Sequence, residues 1–232
     1  NVTGVKEGDR MVSEQIVPCG ECRFCKAGYY SMCQRHSIYG FKKETQGGFA
    51  EYMKFNKQGI HHHVPDELSL EQAVLIEPLA CAMHAVERAK IGHNDVVVIS
   101  GLGAIGLGMV SVARKMQPKR IIGLDLRQNR MDMALKCGAD IVMNPVETNV
   151  GDQIRELTGG YGCDVYIEAS GSEKSVLQGM DAVRFCGRYV QFGVFPQAIT
   201  VDWNDIGDGK ELEIYGAHLA PYCYEPVMKG MM

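Results

Sequence analysis

The hydrophobic texture of this chain changes once along its length. Over the first 75 or so residues, short apolar runs alternate with polar positions, as in 9–17 and 47–55, and that period of two predicts half-buried strands in an all-β segment. Near Pro65 the period lengthens. Ser69 and Glu71 open a helical stretch, and Pro78 stands in a first turn, where a missing N–H is tolerated, ahead of 79–88. From Asp95 onward, apolar runs at 96–100, 120–125, 140–143, 164–170, 188–193 and 212–217 predict strands. Between them 104–116, 127–137, 150–158 and 173–185 read as helices, the last three stopped by Gly138, Gly159 and Gly187. Strand and helix alternating at this spacing predict an α/β fold, a doubly wound parallel sheet covered on both faces. No fixed-period repeat, low-complexity tract or long linker interrupts it.

Composition narrows the picture. With 46% hydrophobic and 22% charged residues, the chain is globular and not disordered, collagenous or coiled-coil. Its 232 residues suffice for one large domain or two modest ones. Lys plus Arg is 24 against 28 Asp plus Glu, a net charge of -4, which leaves no positive field to draw nucleic acid or an anionic membrane. Residues 96–113 carry no charge over a length that could span a bilayer, but Gly101, Gly103, Gly106 and Gly108 divide them into strand, turn and helix. The first ten residues hold no apolar signal-peptide core, so a cytoplasmic location is expected, and the missing initiator Met points to a fragment. Asn1-Val2-Thr3 matches a glycosylation sequon, which has no force without a secretory context.

Nine cysteines is an odd number, and four fall close together as Cys19-x2-Cys22-x2-Cys25-x7-Cys33. Four thiolates in one loop suit a closed tetrahedral zinc site, which stands in for a core that a small lobe cannot build. A disulfide framework belongs to secreted chains, and an iron–sulfur cluster usually shows a shorter last gap followed by proline; both remain weaker alternatives. A site filled by four cysteines is structural. Cys81, Cys137, Cys163, Cys186 and Cys223 read as small core residues.

Gly101-Leu-Gly103-Ala-Ile-Gly106 follows a β-branched strand and opens a helix, and nineteen residues beyond Gly106 the next strand ends in Asp125. In this order Gly101 makes the tight turn, Gly103 lets the backbone approach a pyrophosphate, and Gly106 allows helix to pack on strand. Asp125 is placed to bind the adenosine ribose hydroxyls. A carboxylate there repels a 2′-phosphate and favours NAD over NADP, with Arg127 the residue that argues the other way.

The four-cysteine loop followed by this turn resembles the medium-chain, zinc-dependent alcohol dehydrogenase superfamily, whose GroES-like catalytic domain carries such a lobe ahead of a Rossmann domain. Gly8-Asp9-Arg10, Gly47-Gly-Phe-Ala-Glu-Tyr52 and Leu75-Ile-Glu-Pro-Leu79 extend the likeness over essentially the whole chain, and Glu77-Pro78-Leu79 is similar to the sorbitol and polyol dehydrogenase branch, of the erythritol/threitol type. The resemblance implies part of a GroES-like domain over 1–77, a Rossmann domain over 78–218, and a return toward the first at 219–232. It implies oxidation of a sugar-alcohol hydroxyl by NAD with a catalytic zinc acting as Lewis acid, in a homo-oligomer, tetramer or dimer. Glu77 is similar to the glutamate facing that zinc, directly or through water. Ile105 is similar to the residue packing on the nicotinamide, Arg130 to the basic residue beside the ribose, and Phe192-Gly193-Val194 and Ala217-His218-Leu219 to segments flanking the nicotinamide.

Departures from the family matter too. The other catalytic zinc ligands, a Cys and a Gly-His-Glu motif, lie upstream of Gly8 in the family and are not found here, and the family's arginine after the sixth strand is replaced by His218-Leu-Ala-Pro-Tyr-Cys-Tyr224. Another secondary-alcohol, threonine or reductase type, or a non-catalytic NAD-binding protein, therefore stays open. His61-His62-His63 reads as a solvated strand end, because adjacent side chains point to opposite faces. His84 reads as a packed helix residue. The sequence does not decide whether Glu168 points to the cofactor crevice or bonds locally.

Overall fold

Apolar strands buried on both faces dictate the larger part of this molecule. The computed structural model describes residues 3–232, so the sequon that begins at Asn1 lies outside the described residues. The chain divides into two compact units: one runs through Cys81 and takes in His218–Met232, and the other is Ala82–Ala217. The first holds short elements: β1 (Met11–Ser13), β2 (Ile16–Val17), α1 (Arg23–Lys26), β3 (Ser37–Ile38), β4 (His61–His63), α2 (Leu70–Ala73) and the start of α3 (Ile76–Arg88). β1 pairs antiparallel with β4, and β2 with β3. Arg10 spans the unit to hold the carbonyls of Pro65 and Leu68, the latter at 2.6 Å. Ser69 and Gln72 form a capping box that starts α2.

Two expectations here are corrected. Residues 47–55 form no strand: they find no partner to pair with among the described residues, and an extended segment without a ladder gains nothing from its alternation, so Phe49 and Tyr52 stand exposed. The three histidines are not a solvated end. His61 bonds to the Ser13 hydroxyl at 3.0 Å and the Asn56 carbonyl at 2.9 Å, and His62 lies 3.1 Å from the buried carboxylate of Glu14. Only His63 is exposed.

The second unit winds through β5 (Val96–Ser100), α4 (Ala104–Lys115), β6 (Arg120–Leu124), α5 (Gln128–Cys137), β7 (Ile141–Met143), α6 (Val150–Leu157), β8 (Cys163–Glu168), α7 (Glu173–Ala182), β9 (Val183–Gln191) and β10 (Glu213–Gly216); α8 (Tyr224–Met231) follows in the first unit. The six strands stand in the order β10-β9-β8-β5-β6-β7, every pair parallel. Alternation sends Val97, Ile99, Ile121, Val165 and Ile167 into one core and Val96, Val98, Ile122, Leu124 and Tyr166 into the other. Both faces are thus covered, which is why these strands read as unbroken apolar runs. No helix among the described residues is long and apolar enough to cross a membrane.

At the amino ends of the strands, carboxylates are paired with arginines: Asp95 with Arg188 at 2.7 Å, Asp164 with Arg184 at 2.7 Å, and Asp140 with Arg114 at 2.5 Å. Each also takes a backbone N–H, as Asp164 does from Val96 at 2.7 Å. The helix expected over 173–185 stops at Ala182 instead. Val183, 1% exposed, is drawn into the second core and pairs with Cys163, so the chain becomes sheet four residues before the glycine that was to end the helix.

Tyr166 and Tyr189 stack at 5.7 Å beneath α7, and Gly179 makes room for them. A Cβ at that position would lie 2.6 Å from the Tyr166 ring and 2.8 Å from Tyr189. Gly179→Ala is therefore expected to destabilise the protein by about 1–3 kcal/mol, despite the better helix propensity of alanine. Denaturant unfolding checks this; an unchanged or raised midpoint would contradict it.

Candidate cofactor crevice and metal lobe

β5 has its sequence neighbour β6 on one side and β8 on the other, so chain order reverses there and the connecting loops part at the carboxyl ends of the strands. Gly101 leaves β5 with φ 97°, and a Cβ on it would press within 2.7 Å of the Ser170 nitrogen. A Cβ on Gly106 would lie 1.8 Å from the Gly101 carbonyl oxygen, so helix and turn touch backbone to backbone. Gly103 meets nothing within 4 Å. It also caps α4 without any side-chain hydrogen bond, which leaves the first amides of a twelve-residue helix free to receive an anion.

Asp125, 8% exposed, completes the turn. Its carboxylate accepts N–H bonds from Leu102 at 2.8 Å and Arg127 at 2.9 Å, and Arg130 stands 3.4 Å away. Between this edge and the loop after β8 opens a cavity of about 500 Å³, lined among others by Gly101, Gly103, Asp125, Arg130 and Ser170. A bare helix start, an open glycine and a carboxylate on the facing strand end fit the phosphates and ribose of a dinucleotide.

The other residues expected at a nicotinamide are placed differently. Ile105, Phe192 and Ala217 are partly buried against the sheet core and do not line this cavity, and Val194 is exposed. The backbone N–H groups of Phe192 and Gly193 both donate to the Glu168 carbonyl, at 3.0 and 2.9 Å. His218 and Leu219 belong to the first unit. There His218 stacks on His36 at 5.3 Å, its Nε2 has no partner among the described residues, and burial holds its pKa below the usual imidazole value; Leu219 packs on the cysteine lobe. Ser172, Lys174 and Gln178 line the cavity from α7 and its cap, and the sequence reading missed them. Their signal was the polar run Ser170-Gly-Ser-Glu-Lys174 directly after an apolar strand.

In the first unit, the Sγ atoms of Cys19, Cys22, Cys25 and Cys33 all lie within 4.8 Å of one another. Zinc at about 2.3 Å from four sulfurs sets them about 3.8 Å apart, and Cys19 to Cys25 is 4.0 Å, so the set fits the ion. The short helix α1, unannounced in the sequence, carries Cys25 and is preceded by Cys22. The Cys22 N–H donates to the Cys19 sulfur and the Cys19 N–H to that of Cys33. Backbone N–H groups of Gln34 and Cys25 hold the Cys22 thiol down at about 6, whereas burial pushes Cys25 up to about 12. A divalent cation among them would draw all four to thiolate.

Tyr30, inside the lobe, donates to Glu14 at 2.9 Å and accepts from the Tyr222 N–H at 2.7 Å, while the Tyr222 hydroxyl donates to the Gly28 carbonyl at 2.7 Å. Glu77 sits in a second polar group of this unit. The Gln15 side-chain amide donates to its carboxylate at 2.5 Å, the Cys81 thiol lies 3.3 Å from the same oxygen, and buried Tyr224 donates to the Gln15 carbonyl oxygen at 3.0 Å. Burial and the Glu77 charge push both Cys81 and Tyr224 upward in pKa. Among the described residues, no third Cys, His, Asp or Glu joins Glu77 and Cys81 to make a metal-competent set, so these two alone do not make a zinc site.

A doubly wound sheet with a dinucleotide-type turn thus stands in one chain with a four-thiolate lobe. Residues 104–231 match the zinc-binding dehydrogenase family and residues 1–66 the alcohol dehydrogenase GroES-like domain. The chain belongs to the zinc-binding dehydrogenase family. It is 49% identical to an erythritol/L-threitol dehydrogenase of Mycolicibacterium smegmatis, with 97% of this chain and 62% of that protein aligned. It is 35% identical to a sorbitol dehydrogenase of Halalkalibacterium halodurans, over 98% of this chain and 66% of that one. A zinc-binding dehydrogenase of Sinorhizobium meliloti with NADP bound superposes with a TM-score of 0.86 at 26% identity, over 98% of this chain and 67% of that one. The chain thus spans a little under two thirds of the curated relatives it matches.

Cys33→Ala in the full-length protein is expected to lower the zinc content by one ion per chain and to reduce the thermal midpoint by several degrees. The loss is expected because the lobe's apolar core is small, Ile16, Tyr30 and Ile38 beside the sulfurs with Ile60 and Leu219 packed against them, so that a bound metal would supply folding free energy. Metal analysis showing unchanged zinc in this variant would remove the lobe as a zinc site.

Proposed function

We propose that this protein is a zinc-dependent oxidoreductase that transfers hydride from a secondary hydroxyl of a sugar alcohol to NAD. The observation that carries the cofactor half is Asp125, a nearly buried carboxylate at the end of β6 on the rim of the crevice. One oxygen accepts from the Leu102 N–H and Arg130, and the other accepts the Arg127 N–H alone and keeps acceptor capacity for a ribose hydroxyl. Its charge disfavours a 2′-phosphate, which supports NAD although a related structure holds NADP. Arg130, 3.4 Å away, offsets that charge and keeps the carboxylate oriented. Gly101, Gly103 and Gly106 shape the turn, and the uncapped amides of α4 receive the pyrophosphate.

The sugar-alcohol half is supported by the similarity to polyol dehydrogenases over nearly the whole chain. NAD when bound supplies the hydride acceptor, and zinc the Lewis acid that lowers the hydroxyl pKa. Glu77 is the residue of this chain offered to that zinc or its water, and Gln15 orients its carboxylate through the 2.5 Å bond while Tyr224 fixes Gln15. Phe192, Gly193 and Val194, on the loop after β9, are by family resemblance the residues of the second unit offered to the nicotinamide, together with Ile105 and Ala217. Cys19, Cys22, Cys25 and Cys33 hold the structural zinc. The open edge of β10 in the sheet supports assembly into a homo-oligomer.

The full-length protein is expected to form NADH, at a rate abolished by removing zinc, with four- to six-carbon polyols. Activity on threonine or simple secondary alcohols alone would replace the substrate assignment, and no activity on any hydroxyl substrate would leave a binding protein. Asp125→Ser is expected to weaken NAD by about tenfold or more, through loss of charge-assisted bonds to the ribose, and to narrow its preference over NADP. An unchanged NAD-to-NADP affinity ratio in titrations would show that Asp125 does not select the cofactor.

A further inference from the structure

Glu168 ends β8 with its side chain 0% exposed, yet among the described residues it has no arginine or lysine partner like those at the amino ends of the strands. Its carboxylate is held by neutral donors instead. One oxygen accepts the Ser170 N–H at 2.8 Å, the Ser170 hydroxyl at 2.5 Å and the Gly171 N–H at 3.1 Å. The other accepts the Gln191 side-chain amide at 2.9 Å. Gln191 is itself fixed, because its amide also donates to the Gly193 carbonyl at 2.8 Å and its oxygen accepts from Tyr189 at 3.1 Å. The carboxylate therefore knits the loop after β8 to the loop after β9. The fit is tight: a Cβ on Gly193 would lie 2.3 Å from a Glu168 oxygen and 2.5 Å from the Gly171 nitrogen.

Of the two knitted loops, the one after β8 borders the crevice. Ala169 and Ser170 line the cavity, and the Ser170 backbone is what Gly101 packs against, so the position of the phosphate-binding turn is referred to this loop. Burying a carboxylate is costly unless its bonds are complete, and here Ser170, which supplies two of them, belongs to the crevice wall, while Gly171 and Gln191 complete them from behind it. We propose that Glu168 is a positioning residue of the dinucleotide site: it does not touch cofactor, but sets the loops after β8 and β9 at the spacing the cofactor needs. This inference rests on the dinucleotide reading of the crevice.

Glu168→Gln tests it with little change of shape. The new NH2 group must face either the Ser170 and Gly171 donors or the Gln191 amide, so one set of donors is left opposed to another. In the full-length protein, NAD affinity measured by calorimetry is expected to fall about tenfold or more, the usual consequence of one buried unsatisfied polar pair, while hydrogen exchange quickens at residues 169–172 and 192–194 and stays unchanged in β5 and β6. Gln191→Ala, which removes the bridge from the other side, is expected to act in the same direction with a smaller loss, and it keeps the test available if the first variant does not fold. Loosened loops with wild-type NAD affinity in either folded variant would overturn the positioning role. So would an affinity loss accompanied by faster exchange throughout the sheet, which marks general destabilisation. Wild-type protein that binds no NAD overturns the dinucleotide reading and this inference with it, whereas wild-type binding retained in both variants overturns this inference alone.

Discussion

A parallel sheet that is apolar on both faces has nowhere to put polar groups except at the ends of its strands, and this constraint organises the larger unit. Two kinds of ending result. At the amino ends, Asp95, Asp140 and Asp164 meet arginines, so charge is balanced within the protein and little is left to bind anything else. At the carboxyl ends, Asp125 and Glu168 are held largely by N–H groups of turning backbone. Acceptors satisfied by backbone fix the course of loops. The same sheet therefore has one edge built for cohesion and one edge whose turns are shaped by carboxylates, and the cavity lies at the second.

The smaller unit solves a different problem. Its strands are two or three residues long and its sheets have two strands each, below what a hydrophobic face can stabilise alone. Four sulfurs within 4.8 Å, wrapped by Ile16, Tyr30 and Ile38, supply a centre that a metal ion can complete. Around it run buried polar chains, Tyr30 to Glu14 to His62 and Tyr224 to Gln15 to Glu77, in which each hydroxyl or amide has a named partner. In so small a unit the satisfaction of these chains matters, because a buried polar group left unmet offsets part of the gain, as the Nε2 of His218 does here.

What could be read from the sequence was what is local. The run Val96–Ser100 shows its burial in composition alone, the four cysteines carry their own spacing, and the glycines at 101, 103 and 106 sit where strand gives way to helix. Contacts between distant residues were not legible. Nothing near Glu77 in sequence announces Gln15 or Tyr224, and nothing near Glu168 announces Gln191. Alternation misled at 47–55, because period two predicts a strand only if a partner edge exists. The end of α7 was misplaced because a tertiary demand, burial of Val183, outweighed a helix that could have continued.

The first unit is assembled from two stretches separated by the whole of the second. Its closing contacts, such as the Tyr222 N–H on the Tyr30 hydroxyl, join residues on either side of Ala82–Ala217. During synthesis the cysteine lobe must wait for that late segment to emerge, whereas the intervening stretch has all its own partners in hand sooner. Entropy favours folding the middle first, since its collapse shortens the loop that the outer segments have to close. The lobe's contacts with residues 219–222 accordingly close late, and for that interval a bound metal ion would protect its thiols from oxidation.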